Sequence, residues 1–66
     1  MNYIEEIIKK IKPRSTRPYK NGVELRGINV DQVRTEIQQI IDTNAYPVEI
    51  FDVDIILRSI SIRQTA

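Results

Sequence analysis

The sequence contains no cysteine, no histidine and no tryptophan, and it has only two glycines. Without cysteine there is no disulfide and no thiolate nucleophile, and without histidine the most frequent general base is missing. The two glycines, Gly22 and Gly27, are too few for a glycine-rich loop that cradles a phosphate. We therefore expect a non-enzymatic protein with no catalytic residues, no bound metal, no cofactor and no small-molecule substrate.

Long apolar runs are absent as well. No stretch approaches the roughly 18–20 apolar residues that a membrane-spanning helix requires, so a membrane is not an expected partner. Glu5 and Glu6 lie where a secretory signal peptide would carry positive charge. We expect a cytoplasmic protein whose residues 1–66 form a single domain. At this length the hydrophobic core is marginal without a partner or covalent cross-links.

The charges that are present are unevenly distributed. The net charge is +1, yet residues 9–26 contain most of the basic residues and a single acid, Glu24. The basic residues of this segment are Lys9, Lys10, Lys12, Arg14, Arg17, Lys20 and Arg26. We call residues 13–27 the basic arm, and its charge suits either an acidic protein surface or a nucleic acid.

Two segments have the spacing of amphipathic helices. Residues 2–12 begin with the capping residue Asn2 and stop before Pro13, and residues 28–44 have a second capping residue, Asn29, at their second position. The apolar stripes are Ile4, Ile7, Ile8 and Ile11 in the first segment and Val30, Val33, Ile37, Ile40 and Ile41 in the second. The first helix is too short to persist alone in water, so its stripe must pack against another element.

Asn21-Gly22 in the basic arm is a strong signal for a hairpin, because a tight turn of this kind needs positive φ at its two central residues. A two-residue turn at these positions sets the register: Lys20 opposite Val23, Tyr19 opposite Glu24, Pro18 opposite Leu25, and Arg17 opposite Arg26. Proline cannot donate to a strand ladder, so the first strand should lie at an edge of the sheet.

Arg17 directly opposite Arg26 would be unfavourable unless an anion lies between them. The predicted anion-binding or partner-binding residues are Arg14, Arg17, Tyr19, Lys20 and Arg26. Two alternatives remain open: both arginines extend into solvent, or Glu24 neutralises the pair. The combination of basic residues with an aromatic ring also suits phosphates and one stacked base, although it matches no named nucleic-acid motif.

Residues 48–62 are the most apolar and β-branched part of the chain. Apolar residues alternate with polar ones, but the phase of the alternation shifts at Ile56, which moves the apolar set to the opposite face. An unbroken strand would measure about 50 Å, whereas a domain of this size is only ~30 Å wide. The strand must bend at a bulge near Ile56, break, or project into a neighbour, and because no turn residues are available for a tight hairpin we favour the bulge or the projection. A helix over residues 53–62 is the rival interpretation.

A strand that is apolar on both faces predicts self-association, because a small subunit has few elements to cover it. The residues assigned to that surface are Ile56, Ile60 and Ile62. Asp52 and Asp54 share the polar face of the same strand, where paired carboxylates can hold Mg²⁺, but a solvated strand face explains them more simply.

Together these patterns predict an α+β fold with the order α-β-β-α-β: a helix, the Asn-Gly hairpin, a central helix and a long bent strand. The predicted function is an interaction or assembly module that forms homo-oligomers through its C-terminal strand and presents the basic arm to an acidic partner. The alternative is a small nucleic-acid-binding regulator that uses the same arm.

Overall fold

A computed structural model describes residues 2–65 as two helices packed on one face of a four-stranded antiparallel sheet. In chain order the elements are α1 (Tyr3–Ile11), β1 (Ser15–Tyr19), β2 (Gly22–Arg26), α2 (Val30–Asn44), β3 (Val48–Asp54) and β4 (Ser59–Gln64). The strand order across the sheet is β1-β2-β4-β3. The prediction of a small single α+β domain is confirmed, with positions 1 and 66 of the predicted range outside the described residues.

Both helices begin at the predicted capping residues. The Asn2 side chain accepts hydrogen bonds from the backbone N–H groups of Ile4 and Glu5, at 3.1 and 3.2 Å. Asn29 accepts from the N–H of Gln32 at 3.2 Å. These bonds satisfy donors that a helix leaves unpaired in its first turn, which is why asparagine favours helix starts at both places.

The hairpin between β1 and β2 is present, but its turn lies one residue earlier than predicted, which shifts the pairing of the two strands by two residues. Tyr19 pairs with Gly22, and Arg17 therefore pairs with Glu24 rather than with Arg26. Lys20 and Asn21 make the turn, with Lys20 in the left-handed conformation at a φ of 53°. Gly22 is needed in the strand instead, because a Cβ there would overlap the backbone carbonyl of Ile62 and lie 2.7 Å from the Phe51 ring.

The long C-terminal strand is also corrected: residues 48–62 break into β3 and β4, which pair as a second hairpin. The order of elements is thus α-β-β-α-β-β, and the alternative of a helix over residues 53–62 is wrong. The irregularity in strand pairing lies between Ile50 and Asp52 rather than near Ile56. The turn forms without glycine because the Asp54 carboxylate accepts the N–H of Leu57 at 3.0 Å. Arg58 completes it with a φ of 53°.

The core lies between the sheet and the two helices. Its fully buried apolar side chains are Ile7, Leu25, Ile37, Ile60 and Ile62. The assignment of Ile60 and Ile62 to a self-association surface is therefore corrected, because both lie in the chain's own core. The alternation of apolar and polar residues changes phase within the turn at residues 55–58, so the apolar faces of β3 and β4 both pack against the helices.

Within residues 2–65, neither helix is long and apolar enough to cross a membrane.

Candidate interaction surfaces

The sheet face opposite the helices is open and mostly polar. Strand alternation places on it Ser15, Arg17 and Tyr19 of β1, Glu24 and Arg26 of β2, Ser59, Ser61 and Arg63 of β4, and Glu49, Asp52 and Asp54 of β3. Ser59 and Ser61 are almost fully buried although no helix covers them. The longer side chains of the flanking strands shield them, which makes this face a polar layer rather than a pocket.

Glu24 joins the two arginines that the sequence placed opposite each other. Its carboxylate accepts from Arg17 Nε at 2.7 Å and lies 3.4 Å from Arg26 Nε. Only 4% of Glu24 is exposed, whereas the two arginine side chains are partly in solvent. Of the alternatives left open by the sequence, neutralisation by Glu24 is the one observed, so a bound anion is not needed to explain the pair.

Replacing Glu24 with glutamine is expected to destabilise the fold by about 1–2 kcal/mol, since a charge-assisted bond is lost and two arginines remain beside each other. Glu49→Gln is the matched control. The Glu49–Arg63 pair has a similar distance of 2.6 Å but is much more exposed, so its loss should change stability by less than ~1 kcal/mol. Urea unfolding of both variants measures the difference; equal effects would contradict a special role for Glu24.

An aromatic cluster occupies the end of the open face near the β1–β2 turn. The rings of Tyr19 and Phe51 are nearly parallel, with centroids 6.0 Å apart. Lys20 Nζ lies 5.4 Å from the Tyr19 centroid, and the Arg63 guanidinium lies 4.9 Å from that of Phe51. The two rings can meet across the sheet because Gly22, between them, has no side chain.

The five residues predicted to bind an anion or a partner are not gathered in one site. Tyr19 and Lys20 belong to the aromatic cluster, and Arg17 and Arg26 are held by Glu24. Arg14 lies at the other end of the sheet, where its N–H donates to the carbonyl of Arg26 at 3.1 Å. The basic arm is therefore an ordered part of the sheet, and its charges face three different environments.

The largest exposed apolar side chains in the described part of the chain belong to the β3–β4 turn. Ile55, Ile56 and Leu57 are 73%, 93% and 50% exposed. Their backbone is fixed by the Asp54 carboxylate and by the N–H groups of Gly27 and Ile28, which donate to the Arg58 carbonyl at 3.1 and 3.4 Å. We call Ile55, Ile56 and Leu57 the apolar tip. Of the three predicted self-association residues, only Ile56 lies here.

Seven of the chain's ten basic residues lie at the same end of the sheet as the apolar tip. The end of α1, the start of β1, the end of β2 and the start of α2 all lie at this end of the sheet, which follows from the register and the short connections. We call it the basic end: it contains Lys9, Lys10, Lys12, Arg14, Arg26, Arg34 and Arg58, with only Asp31 and Asp54 as acids. The other seven acids, against three basic residues, lie in the middle or towards the opposite end.

The basic charge was predictable from the sequence, but its position at the same end of the sheet as the apolar tip was not. The available signal was Ile55-Ile56-Leu57 itself, three apolar residues in a row where the alternation fails.

A cleft of about 400 Å³ separates this turn from the start of α2 and is lined by Gly27, Asn29 and Arg58, among others. Asn29 already caps the helix there. We assign no ligand to this cleft.

Asp52 and Asp54 do lie on one face of β3, opposite Ser61 and Ser59. The Asp54 carboxylate is engaged by the turn, where it accepts from Leu57. No group of three or more potential metal ligands is close enough to hold an ion within residues 2–65.

Comparison with known proteins finds no matching family, no matching curated protein and no matching solved structure.

Proposed function

We propose that this chain is a non-enzymatic interaction module that docks through its basic end onto an acidic surface, with the apolar tip as the anchor. The observation that carries the proposal is the near-complete exposure of Ile56 between two other exposed apolar residues. Hairpin turns are usually made of Gly, Asn, Asp or Ser, which suit their backbone and their exposure. A turn made of two isoleucines and a leucine is better suited to contact with another molecule.

The turn is already in a defined conformation before any partner arrives. The Asp54 carboxylate accepts a hydrogen bond from the N–H of Leu57, and the carbonyl of Arg58 accepts from the N–H groups of Gly27 and Ile28 in the loop before α2. A preformed loop loses little conformational entropy on binding, which favours affinity. Burying one large aliphatic side chain contributes about 1.5–3 kcal/mol, so three such side chains are enough to anchor a small interface.

The positive charge of the basic end orients this chain towards an acidic partner. An excess of positive charge at the end of the sheet that carries the apolar tip attracts an acidic surface and speeds encounter, while the tip supplies contact once the surfaces meet. This retains the acidic partner expected from the sequence, but assigns the contact to the tip together with Lys9, Lys10, Lys12, Arg14, Arg34 and Arg58, all of them exposed. Arg17 and Arg26 are not assigned to this contact because both are already held by the Glu24 carboxylate.

The test uses a synthetic peptide of alternating glutamate and leucine as the acidic probe. In the tip variant, Ile55, Ile56 and Leu57 are each replaced by serine. We expect binding to weaken at least tenfold, while the Tm stays within a few degrees because the replaced side chains are exposed. The matched control replaces Gln38, Gln39 and Thr43 on the exposed face of α2 with alanine and should bind as the unchanged protein does.

A second peptide, with glutamine in place of glutamate, separates the two contributions. It should bind more weakly than the glutamate peptide, and the difference should shrink as salt is raised. Unchanged affinity in the tip variant would refute the apolar anchor. Equal affinity for the two peptides would refute the role of charge.

A second candidate function, a nucleic-acid-binding regulator, has one specific observation in its favour. Tyr19 and Phe51 lie side by side on an open sheet face with Lys20 and Arg63 beside them, which is a suitable surface for stacking bases of a single strand. Binding of oligothymidylate that falls with rising salt and is lost in Tyr19→Ala, but not in the tip variant, would favour this function over docking through the basic end.

A further inference from the structure

The basic end combines an attraction that acts at a distance with one that needs contact. Asp54 and Ser59 are the last paired residues of β3 and β4, so the turn that carries the apolar tip projects beyond the strand ladder. Ile56 at its centre is almost fully exposed. The tip can therefore enter another surface, while the cations of the same end act over a longer range.

Two of these cations are tied to the turn itself. Arg58 belongs to the turn, and its carbonyl accepts from the N–H of Gly27 at 3.1 Å. Arg14 packs against the same glycine, since a Cβ added at Gly27 would lie 2.5 Å from the Arg14 Cβ. The segment before β1 and the turn therefore meet at Gly27.

Most cations of the basic end are not compensated by acids. Lys9 lies 3.9 Å from Glu6, and Arg26 lies 3.4 Å from Glu24. The other five have no ion-pair partner within residues 2–65: Lys10, Lys12, Arg14, Arg34 and Arg58. Set against the two acids of this end, five such cations leave an excess of three positive charges.

We propose that the acidic surface onto which the basic end docks is the anionic headgroup layer of a lipid bilayer, into which the apolar tip inserts. This rests on the proposed function, because it names the partner of the same site. Aliphatic side chains enter the boundary between headgroups and acyl chains, and basic residues close to the surface are attracted to anionic lipids. Stable attachment takes two such contributions together, and the basic end has both.

The spread of the charge favours a bilayer over an acidic protein. The uncompensated cations come from the end of α1, the segment before β1, α2 and the β3–β4 turn. A protein would need a carboxylate opposite each of them, whereas a bilayer is a continuous plane of negative charge whose potential extends about 8 Å at physiological salt. The molecule measures only 29 × 23 × 18 Å, so cations spread over one end feel that potential without touching the tip.

Surface attachment does not conflict with the lack of a membrane-spanning segment. The expectation that a membrane is not a partner rested on that lack, and insertion of a turn into the interface needs no spanning helix. A second copy of the chain is a less suitable occupant, because a contact between two tips would bring two basic ends together. The predicted homo-oligomer, which this contact does not require, stays a prediction.

Co-sedimentation of the full chain with vesicles tests the contact. Vesicles of an equimolar mixture of phosphatidylcholine and phosphatidylserine should bind the unchanged protein, and vesicles of phosphatidylcholine alone should bind it much more weakly. Raised salt should weaken the binding, and the tip variant should bind the mixed vesicles at least ~10-fold more weakly. Absence of binding to the mixed vesicles at low salt, or equal binding to both compositions, would overturn the proposal.

Two lysines provide a matched test of the charge. Lys12 and Lys20 are both exposed and both in the left-handed conformation, with φ of 55° and 53°. Lys12 belongs to the basic end, whereas Lys20 lies in the β1–β2 turn, roughly 20 Å away along β1. Lys12→Gln should weaken vesicle binding about fivefold, and Lys20→Gln by less than about twofold because it lies beyond the screening distance. Equal effects would overturn the proposed orientation.

Ile56→Trp reports directly on insertion, because it introduces the only tryptophan of the chain. On mixed vesicles its fluorescence should shift to shorter wavelength and should be quenched by lipids whose acyl chains carry bromine. Circular dichroism checks that this variant and the lysine variants are folded. Fluorescence that stays unshifted and unquenched while the protein is bound would show that the tip does not insert, and the proposal would fail.

The glutamate–leucine peptide keeps this inference separate from the proposed function. If the tip contributes to binding of the peptide but the mixed vesicles are not bound, the partner is an acidic protein: this inference fails and the proposed function stands. If the tip contributes to neither, both fail. Sedimentation velocity without lipid covers the second copy, since a mass that rises with concentration in the unchanged protein but not in the tip variant would assign the tip to self-association and overturn this inference.

Discussion

Replacing Ile60 with alanine is expected to lower the free energy of unfolding by about 2–5 kcal/mol, whereas Ile56→Ala should change it by less than ~0.5 kcal/mol. The two residues belong to the same apolar stretch and are four positions apart. Ile60 is completely buried between the sheet and the helices, while Ile56 is 93% exposed in the turn. Removing three carbons from Ile60 leaves a cavity in a close-packed core, and the same change at Ile56 leaves none.

The effect is large relative to the stability available. A 66-residue domain has a total stability of roughly 3–10 kcal/mol, so the Ile60→Ala protein should be partly or wholly unfolded at 37 °C. Urea denaturation followed by circular dichroism measures both variants. Ile60→Val, which removes one methyl group, is a graded control with an expected loss of about 0.5–1.5 kcal/mol.

A loss at Ile56 as large as the loss at Ile60 would contradict the exposed turn. It would mean that the β3–β4 connection packs against the body of the protein. The same measurement therefore checks the correction made to the predicted self-association residues.

Gly22→Ala is expected to destabilise the protein by about 1–3 kcal/mol although it adds a single methyl group. At most strand positions the change from glycine to alanine is neutral or stabilising, since glycine loses more backbone freedom on folding. Here the added Cβ would overlap the carbonyl of Ile62 and lie 2.7 Å from the Phe51 ring. A ring can move aside, but a backbone carbonyl within a strand ladder cannot move without disturbing the pairing of β2 with β4.

A double-mutant cycle with Phe51→Leu separates the two contacts. The smaller side chain relieves the contact with the ring and leaves the contact with the Ile62 carbonyl unchanged. We therefore expect the double variant to recover only part of the stability lost in Gly22→Ala, with Phe51→Leu alone as the reference. Full recovery would indicate that the ring is the only obstacle, and no loss in Gly22→Ala would contradict the close approach of Gly22 to the Ile62 carbonyl.

The helices could be predicted from the sequence because their signals are local. Asn2 and Asn29 cap through bonds to residues two or three positions away, and the isoleucine spacing identifies the buried side of each helix. The second hairpin was missed because its turn lacks the usual residues. The Asp54 carboxylate stabilises the turn instead by accepting a hydrogen bond from the N–H of Leu57. In the sequence, Asp54 looks like any other polar residue of an alternating strand, so this interaction could not be predicted.

The register of the first hairpin was missed for a different reason. Asn21-Gly22 is a good turn in isolation, but Gly22 is required in the strand by Phe51 and Ile62, which lie about 30 and 40 residues later. A local preference was overridden by a contact between distant parts of the chain. Moving the turn by one residue shifts the pairing by two, and this replaced an unfavourable pair of arginines with the Arg17–Glu24 ion pair.

Composition and periodicity were sufficient to establish an α+β domain with two capped helices, a basic segment and β-branched C-terminal strands, because these properties depend on residues close together in the chain. Which apolar residues face the core and which face solvent was decided only when β3 and β4 paired. Pairing across a turn determines the side of the sheet to which Ile60 and Ile62 point, and it leaves Ile55, Ile56 and Leu57 exposed at the end of the sheet where α1 ends and α2 begins. No local pattern contains that information, since it depends on the packing of segments that are far apart in the chain.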